Sequence, residues 1–399
     1  MNSIVRYTYK MEDPTLLFTI FLIFTGAAIL ATIALYARQA MIVAYIVLGI
    51  LFGPSILGWV HHAEHIQQIA DVGIMFLLFL LGLNLHPQKL IILFKETTVV
   101  TIISCAIFVV LGSSIPLLFG LGWTESLIIG STMMFSSTII GLKLTPTTEL
   151  HHKHIGEIII SILLMQDIIA IILLIVLQAG GGTDELAFNL VKLVFAFIGL
   201  AVFAYLMERF ILIKLIRRFD KIQEYIFLLA IGWCLGMAEF ASYLGLTHEI
   251  GAFVAGVALA THRISFFIAD SLKPLRDFFL IIFFFAIGAA IDINAMNEVI
   301  LPAATLAIVI LVVKPVVFSW LLRFEGESKQ QATEIGFRLG QGSEFAFLIT
   351  VLALKLNLLS QQGSALIQLA TVLTFIISTY YVVFKYPTPI AVSDKLRKN

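Results

Sequence analysis

Ser161-Ile-Leu-Leu-Met-Gln-Asp-Ile-Ile-Ala-Ile171 is an apolar stretch interrupted once, by the pair Gln166-Asp167. It lies inside a segment, roughly 156–178, that is long enough to cross a bilayer. A carboxyl group in hydrocarbon costs about 2.5–3.5 kcal/mol on insertion scales, so an acidic residue retained there points to an ion or proton path. Asp167 is therefore the first candidate ion-binding residue. Gln166 beside it offers a neutral oxygen ligand or an orienting amide.

The rest of the chain has the same solvent. Of its 399 residues, 60% are hydrophobic and 13% charged, which describes a polytopic membrane protein. Cys105 and Cys234 both fall in apolar spans, so no disulfide framework is implied. No nucleotide-binding loop, zinc spacing or nucleophile constellation is present, which argues against a hydrolytic enzyme, an organic cofactor and a nucleic-acid partner.

Apolar stretches near the bilayer length number about thirteen. Arg38, Lys89, Lys95, Lys143, Lys153, the Arg209–Lys221 cluster, Arg263, Lys273, Arg276, Arg323 and Lys329 fall in every second loop, and Lys385, Lys395, Arg397 and Lys398 follow the last span. Basic loops stay in the cytoplasm, so the N-terminus is expected outside and the C-terminus inside. Arg6 and Lys10 fall on the wrong side of that rule, accompanied by Glu12 and Asp13. The first span has a longer apolar core than a signal peptide and is expected to be retained.

Two segments repeat. Asp71-Val-Gly-Ile-Met-Phe-Leu-Leu-Phe-Leu-Leu-Gly82 and Asp277-Phe-Phe-Leu-Ile-Ile-Phe-Phe-Phe-Ala-Ile-Gly288 share an Asp, ten apolar residues and a Gly, 206 positions apart. The same offset aligns Ser136-Ser137-Thr138 with Gly342-Ser343-Glu344, the polar interruptions of spans five and twelve (roughly 124–142 and 333–355). Spans three and ten begin on opposite sides of the membrane, as an inverted repeat requires. Broken backbone at membrane depth survives where protein or water satisfies it, and the exposed helix ends there can coordinate a cation. Ser136, Ser137, Thr138, Ser343 and Glu344 are thus candidate site residues, with small-residue helix packing the plainer alternative.

Lys314, in Val-Val-Lys-Pro-Val-Val, needs a carboxylate or exposed helix carbonyls as partner, and both a neutralising and a transporting role remain open for it. Arg338 is expected to snorkel from the cytoplasmic end of span twelve. His151-His-Lys-His154, His61, His62 and His65 read as solvated loop residues rather than a metal or pH-sensing site.

Burial penalises the ionised form of Asp167, so its carboxyl holds either a proton or a monovalent cation. If the empty charged form resists crossing, each reorientation carries one ligand or the other. The expected outcome is exchange of one cation for one proton, which is electroneutral because Gln166 takes up no proton.

Gln166-Asp167, His248-Glu-Ile-Gly-Ala-Phe-Val-Ala-Gly-Val-Ala-Leu-Ala260, Phe283-Phe-Phe-Ala-Ile-Gly288 and Leu339-Gly-Gln-Gly-Ser-Glu-Phe-Ala-Phe347 resemble, in order, the membrane domain of Kef-type potassium/proton antiporters. These belong to the second monovalent cation:proton antiporter superfamily. The resemblance implies an all-α fold of about thirteen transmembrane helices with inverted repeats and two crossed discontinuous helices. It implies a homodimer in a bacterial inner membrane, with dimerisation parts near 1–94 and 222–297, a linker helix near 188–221 and an ion-transporting core near 95–187 and 298–386. It assigns ion binding to Asp167, places Gln166 where electrogenic relatives carry a second Asp, and matches Lys314 to the lysine of the eleventh helix. The implied ligands are protons and K+, with Na+ possible.

Two departures stand out. Kef proteins continue into a cytosolic nucleotide-binding domain that responds to glutathione, whereas 387–399 reads as a short basic tail. The loop through which that domain acts corresponds to Arg263–Pro274, whose one acidic residue is Asp270. Glutathione gating is therefore not expected, and regulation is either of a kind the sequence does not show or comes from a separate cytosolic subunit. A sodium-coupled organic-anion symporter of the same fold and a cation channel or membrane sensor are the alternatives.

Overall fold

A computed structural model describes residues 16–60, 63–84, 87–145, 154–180, 186–219, 221–260, 264–291 and 293–388. His61, His62, His151, His152, Lys153, Arg263, Arg6, Lys10, Glu12, Asp13 and the tail beyond Thr388 lie outside the described residues.

In lipid every backbone polar group needs an internal partner, and the chain meets that demand with helices. They are α1 (Leu16–Tyr36), α2 (Met41–Phe52), α3 (Ala63–Asn84), α4 (Pro87–Leu118), α5 (Trp123–Met133), α6 (Thr138–Lys143), α7 (His154–Gly180) and α8 (Leu186–Met207). A π-helical turn, Glu208–Leu212, joins α8 to α9 (Ile213–Phe219). There follow α10 (Gln223–Tyr243), α11 (His248–Leu259), α12 (Ile264–Ala289), α13 (Ile293–Phe324), α14 (Lys329–Arg338), α15 (Phe345–Lys355) and α16 (Gln361–Lys385). With α5 and α6 as one broken span, α14 and α15 as another, and α8 continuous through α9, the described helices make up the thirteen expected spans.

Seven of them are long and apolar enough to cross a membrane by length and composition alone. The others are short, broken or charged at one end. The second span stops at Phe52 because Gly53 precedes Pro54, and a residue before proline is pushed out of helical geometry. The fourth and tenth start earlier than their apolar windows, at Pro87 and Ile264, because a helix runs on into polar residues beyond the hydrocarbon. Proline suits the first helical position of α4.

The helices pack in two groups. One holds α1, α2, α3, α10, α11 and α12; the other holds α4, α5, α6, α7, α13, α14, α15 and α16, and α8 touches α7 in one and α11 in the other. On α8 an exposed stripe of Val191, Phe195, Ile198 and Val202 repeats at helical spacing, as does Leu301, Ile308, Val312 and Val316 on α13. Apolar faces of this kind are stable against lipid.

The repeat is visible in close backbone crossings. A Cβ on Gly130 would come within 2.6 Å of the Val109 carbonyl oxygen, and one on Gly336 within 2.6 Å of the Pro315 carbonyl oxygen; each member of the second pair lies 206 residues after its counterpart. Thus α5 crosses α4 as α14 crosses α13. Gly82, where α3 crosses α11 at Gly256, and Gly288, where α12 crosses α2 at Gly49, form another such pair, and a Cβ on either would collide with backbone of the crossing helix.

Candidate ion-binding site

Both broken spans open where small residues replace bulk. After Met133 the chain is non-helical until Thr138, and after Arg338 until Phe345. Hydroxyls stand in for the missing ladder bonds. Ser137 Oγ accepts from Ile140 N at 3.1 Å and so caps α6, and Ser343 Oγ accepts from Phe345 N at 3.2 Å at the start of α15. The breaks meet each other: Ser136 Oγ donates to the Leu339 carbonyl at 2.7 Å, and Gln341 Nε2 to the Ser137 carbonyl at 3.4 Å. Ser136, Ser137, Gln341 and Ser343 are all buried.

Lys314, fully buried on α13, ties the two breaks together. Its ammonium donates to the Phe135 carbonyl at 2.6 Å, the Gln341 carbonyl at 2.9 Å and Ser136 Oγ at 3.3 Å, and it lies 5.4 Å from the Phe108 ring centre. An ammonium has three donors, and all three are engaged. The carbonyls belong to residues just past the C-terminal ends of α5 and α14, where the helix dipole is negative. Of the two partner types open to Lys314, helix carbonyls are the ones it has.

The pair on α7 divides its work. Gln166 Oε1 accepts from Ser136 N at 2.9 Å and Nε2 donates to the Met134 carbonyl at 3.2 Å, so its amide is committed to the first break. Asp167, 2% exposed, turns its carboxyl to Thr138, whose hydroxyl lies 3.4 and 3.5 Å from the two oxygens. Glu344, also buried, stands at the second break, immediately before α15. The arrangement brings Asp167, Gln166, Lys314, Ser136, Ser137 and Thr138 together around the first break, and the second break, which meets it through Leu339 and Gln341, carries Ser343 and Glu344.

Arg338 does not snorkel. Its side chain is buried, and it donates to Glu334 at 2.7 and 3.0 Å, to the Leu144 carbonyl at 2.9 Å and to the Pro387 carbonyl at 2.9 Å. Because α14 stops short at the break, Arg338 faces inward, where its planar fork joins the ends of α6, α14 and α16. Sequence reasoning also missed Thr374, which accepts from Gly342 N at 2.9 Å and donates to the Thr371 carbonyl at 2.7 Å, and Ser378, which donates to Gln341 Oε1 at 3.2 Å. Hydroxyls at 371, 374 and 378 share one face of α16, which was the available signal. Of the histidine run, His154 is described and pairs with Glu327 at 2.8 Å.

Comparison with known proteins adds the family. The description "Sodium/hydrogen exchanger, transmembrane" matches residues 10–385. The chain belongs to that family. Among curated relatives of this chain, the glutathione-regulated potassium-efflux system protein KefC of Salmonella typhi is 30% identical over 384 residues, covering 94% of this chain. The chain spans 61% of that relative's length. The iron transporter MagA of Paramagnetospirillum magneticum is 26% identical over 347 residues, 86% of this chain and 80% of its own. The sodium proton antiporter MjNhaP1 of Methanocaldococcus jannaschii shares the fold, with a TM-score of 0.67 at 16% identity over 91% of this chain and 94% of that one. The chain is accordingly an integral, multi-pass member of a cation:proton antiporter family.

Proposed function

We propose that the protein exchanges a monovalent cation, K+ in preference to Na+, for protons by alternating access at Asp167. The observation that carries the proposal is a division of charge. Lys314 has all its donors on Phe135, Ser136 and Gln341, so the buried Asp167 carboxyl is left to a hydroxyl 3.4 Å away and needs a mobile positive partner. A proton or a dehydrated cation can supply it, with Thr138 as a further oxygen ligand. The cation preference rests on the likeness to KefC, whose name describes potassium efflux.

One carboxyl exchanging one proton for one cation moves no net charge, and Gln166 adds no titratable group. The group containing α4 to α7 and α13 to α16 acts in this reading as the transporting core. The group containing α1 to α3 and α10 to α12 is its scaffold and the dimerisation surface, and α8 is the linker. In this reading the basic loops favour a cytoplasmic C-terminus in a bacterial inner membrane.

Reconstitution with an entrapped pH dye tests this. Adding K+, Na+, Li+ or Rb+ in turn is expected to move protons at a saturable rate, uphill against a pH gradient, and shunting the membrane potential is expected to leave that rate unaltered. A non-saturating, strictly downhill flux contradicts a carrier, and a sustained current contradicts electroneutrality.

A further inference from the structure

Where α7 and α15 finish, a recess lies between the two helix groups. It is lined by Asp71 and Ile74 of α3, Thr247 and Glu249 at the start of α11, Leu174 of α7, and Leu348 and Lys355 of α15, among others. Two of its leucines stand on the helices that carry the ion site. Leu174 follows Asp167 by seven residues and Leu348 follows Glu344 by four, spacings that keep each pair on one helix face. Both leucines are buried. Across the recess Lys355 Nζ stands 3.9 Å from Asp71 Oδ2, an ion pair that joins α15 of one group to α3 of the other.

We propose that this recess is the mouth of the ion path and that the Lys355–Asp71 pair latches it shut; the proposal rests on the transport reading above, which puts this end outside the cell. The pair is the right strength for a latch. With Lys355 63% and Asp71 28% exposed, water screens it, and it breaks without a large barrier at each turnover. It also switches the charge of the mouth. Latched, Lys355 offsets one of two carboxylates; when α15 moves away from α3 and carries Lys355 with it, Asp71 and Glu249 face the opening together and draw in a hydrated monovalent cation. The leucine floor then separates this acidic vestibule from Asp167 until the core shifts.

The full chain with Asp71→Cys and Lys355→Cys, reconstituted and bridged by a bifunctional, reducible thiol reagent, is expected to lose at least tenfold in exchange rate and to regain it on reduction. The native Cys105 and Cys234 are buried, so they do not compete. In a second arm, Leu348→Cys is labelled from outside by a membrane-impermeant cationic thiol reagent. Adding Lys355→Gln raises the labelling rate several-fold, and the swap of Asp71→Lys with Lys355→Asp returns it to the starting rate. A bridged protein that exchanges at the unbridged rate overturns the latch, as does labelling that Lys355→Gln leaves unchanged. Wild-type vesicles that show no exchange overturn the transport reading instead, and the labelling arm then still decides the latch.

Discussion

At the first helix break the N–H of Ser136 is held by the amide oxygen of Gln166 at 2.9 Å; at the second, 206 residues on, the N–H of Gly342 is held by the hydroxyl of Thr374, also at 2.9 Å. In each case the sixth helix of the repeat clamps the gap in the fifth. The chemistry next to the clamps differs. Gln166 is followed by Asp167, whereas position 373, opposite Asp167 in the repeat, is Leu373. On the neighbouring helix the reverse holds, with Phe108 opposite Lys314. One plan used twice gives a scaffold able to face either side of a membrane. Glu344 breaks the symmetry as well, standing opposite Thr138; in the proposed reading these differences leave the Asp167 carboxyl for a mobile ion and the Lys314 ammonium for the helix ends.

If that division is right, Asp167→Asn abolishes cation-dependent proton movement while the melting temperature stays at or above wild type, since the amide is neutral in a buried site. Exchange at wild-type rate in that variant removes Asp167 from the account. Lys314→Gln is expected to act on stability, by roughly 3–5 kcal/mol, because a buried network loses its charged member. Thermal unfolding checks this; a turnover that vanishes with no change in melting temperature assigns Lys314 to the transport cycle instead.

The two clamps can be compared directly. Gln166→Leu leaves both Ser136 N and the Met134 carbonyl without their partner, and at about 1–3 kcal/mol per buried group it is expected to destabilise by roughly 2–6 kcal/mol. Thr374→Val leaves only Gly342 N and is expected to cost about 1–3 kcal/mol. Equal losses in denaturation would show that the breaks are not held in the way described. The smallest effect on transport is expected from Gln166→Asp, which gives up the donor to the Met134 carbonyl and places a second titratable group beside the first. A sustained cation-coupled current on a solid-supported membrane, absent from wild type, is the expected gain.

Much of this was readable in the sequence, for a physical reason. The shared Asp-to-Gly segments and the polar interruptions had to survive in each half because lipid tolerates neither stray charge nor loose backbone, and so they marked the repeat, the breaks and Asp167. What stayed hidden were pairings between residues far apart in the chain. Nothing local showed that Arg338 turns inward to the Leu144 and Pro387 carbonyls rather than out to the interface, or that the Gln166 amide binds Ser136 and Met134. Thr374 passed unnoticed because a single hydroxyl in a helix ordinarily bonds back to its own preceding turn, as Thr374 also does.

The central claim is that proton and cation compete for the one carboxyl of Asp167. Its most direct test is the apparent affinity for the cation, measured in proteoliposomes across a range of pH. A shared carboxyl must lose its proton before it takes a cation, so on the acid side the half-saturating concentration is expected to rise about tenfold per pH unit while the maximal rate is recovered at saturating cation. A maximal rate that falls with acidification while the half-saturating concentration stays constant would mean separate sites, and would contradict the account.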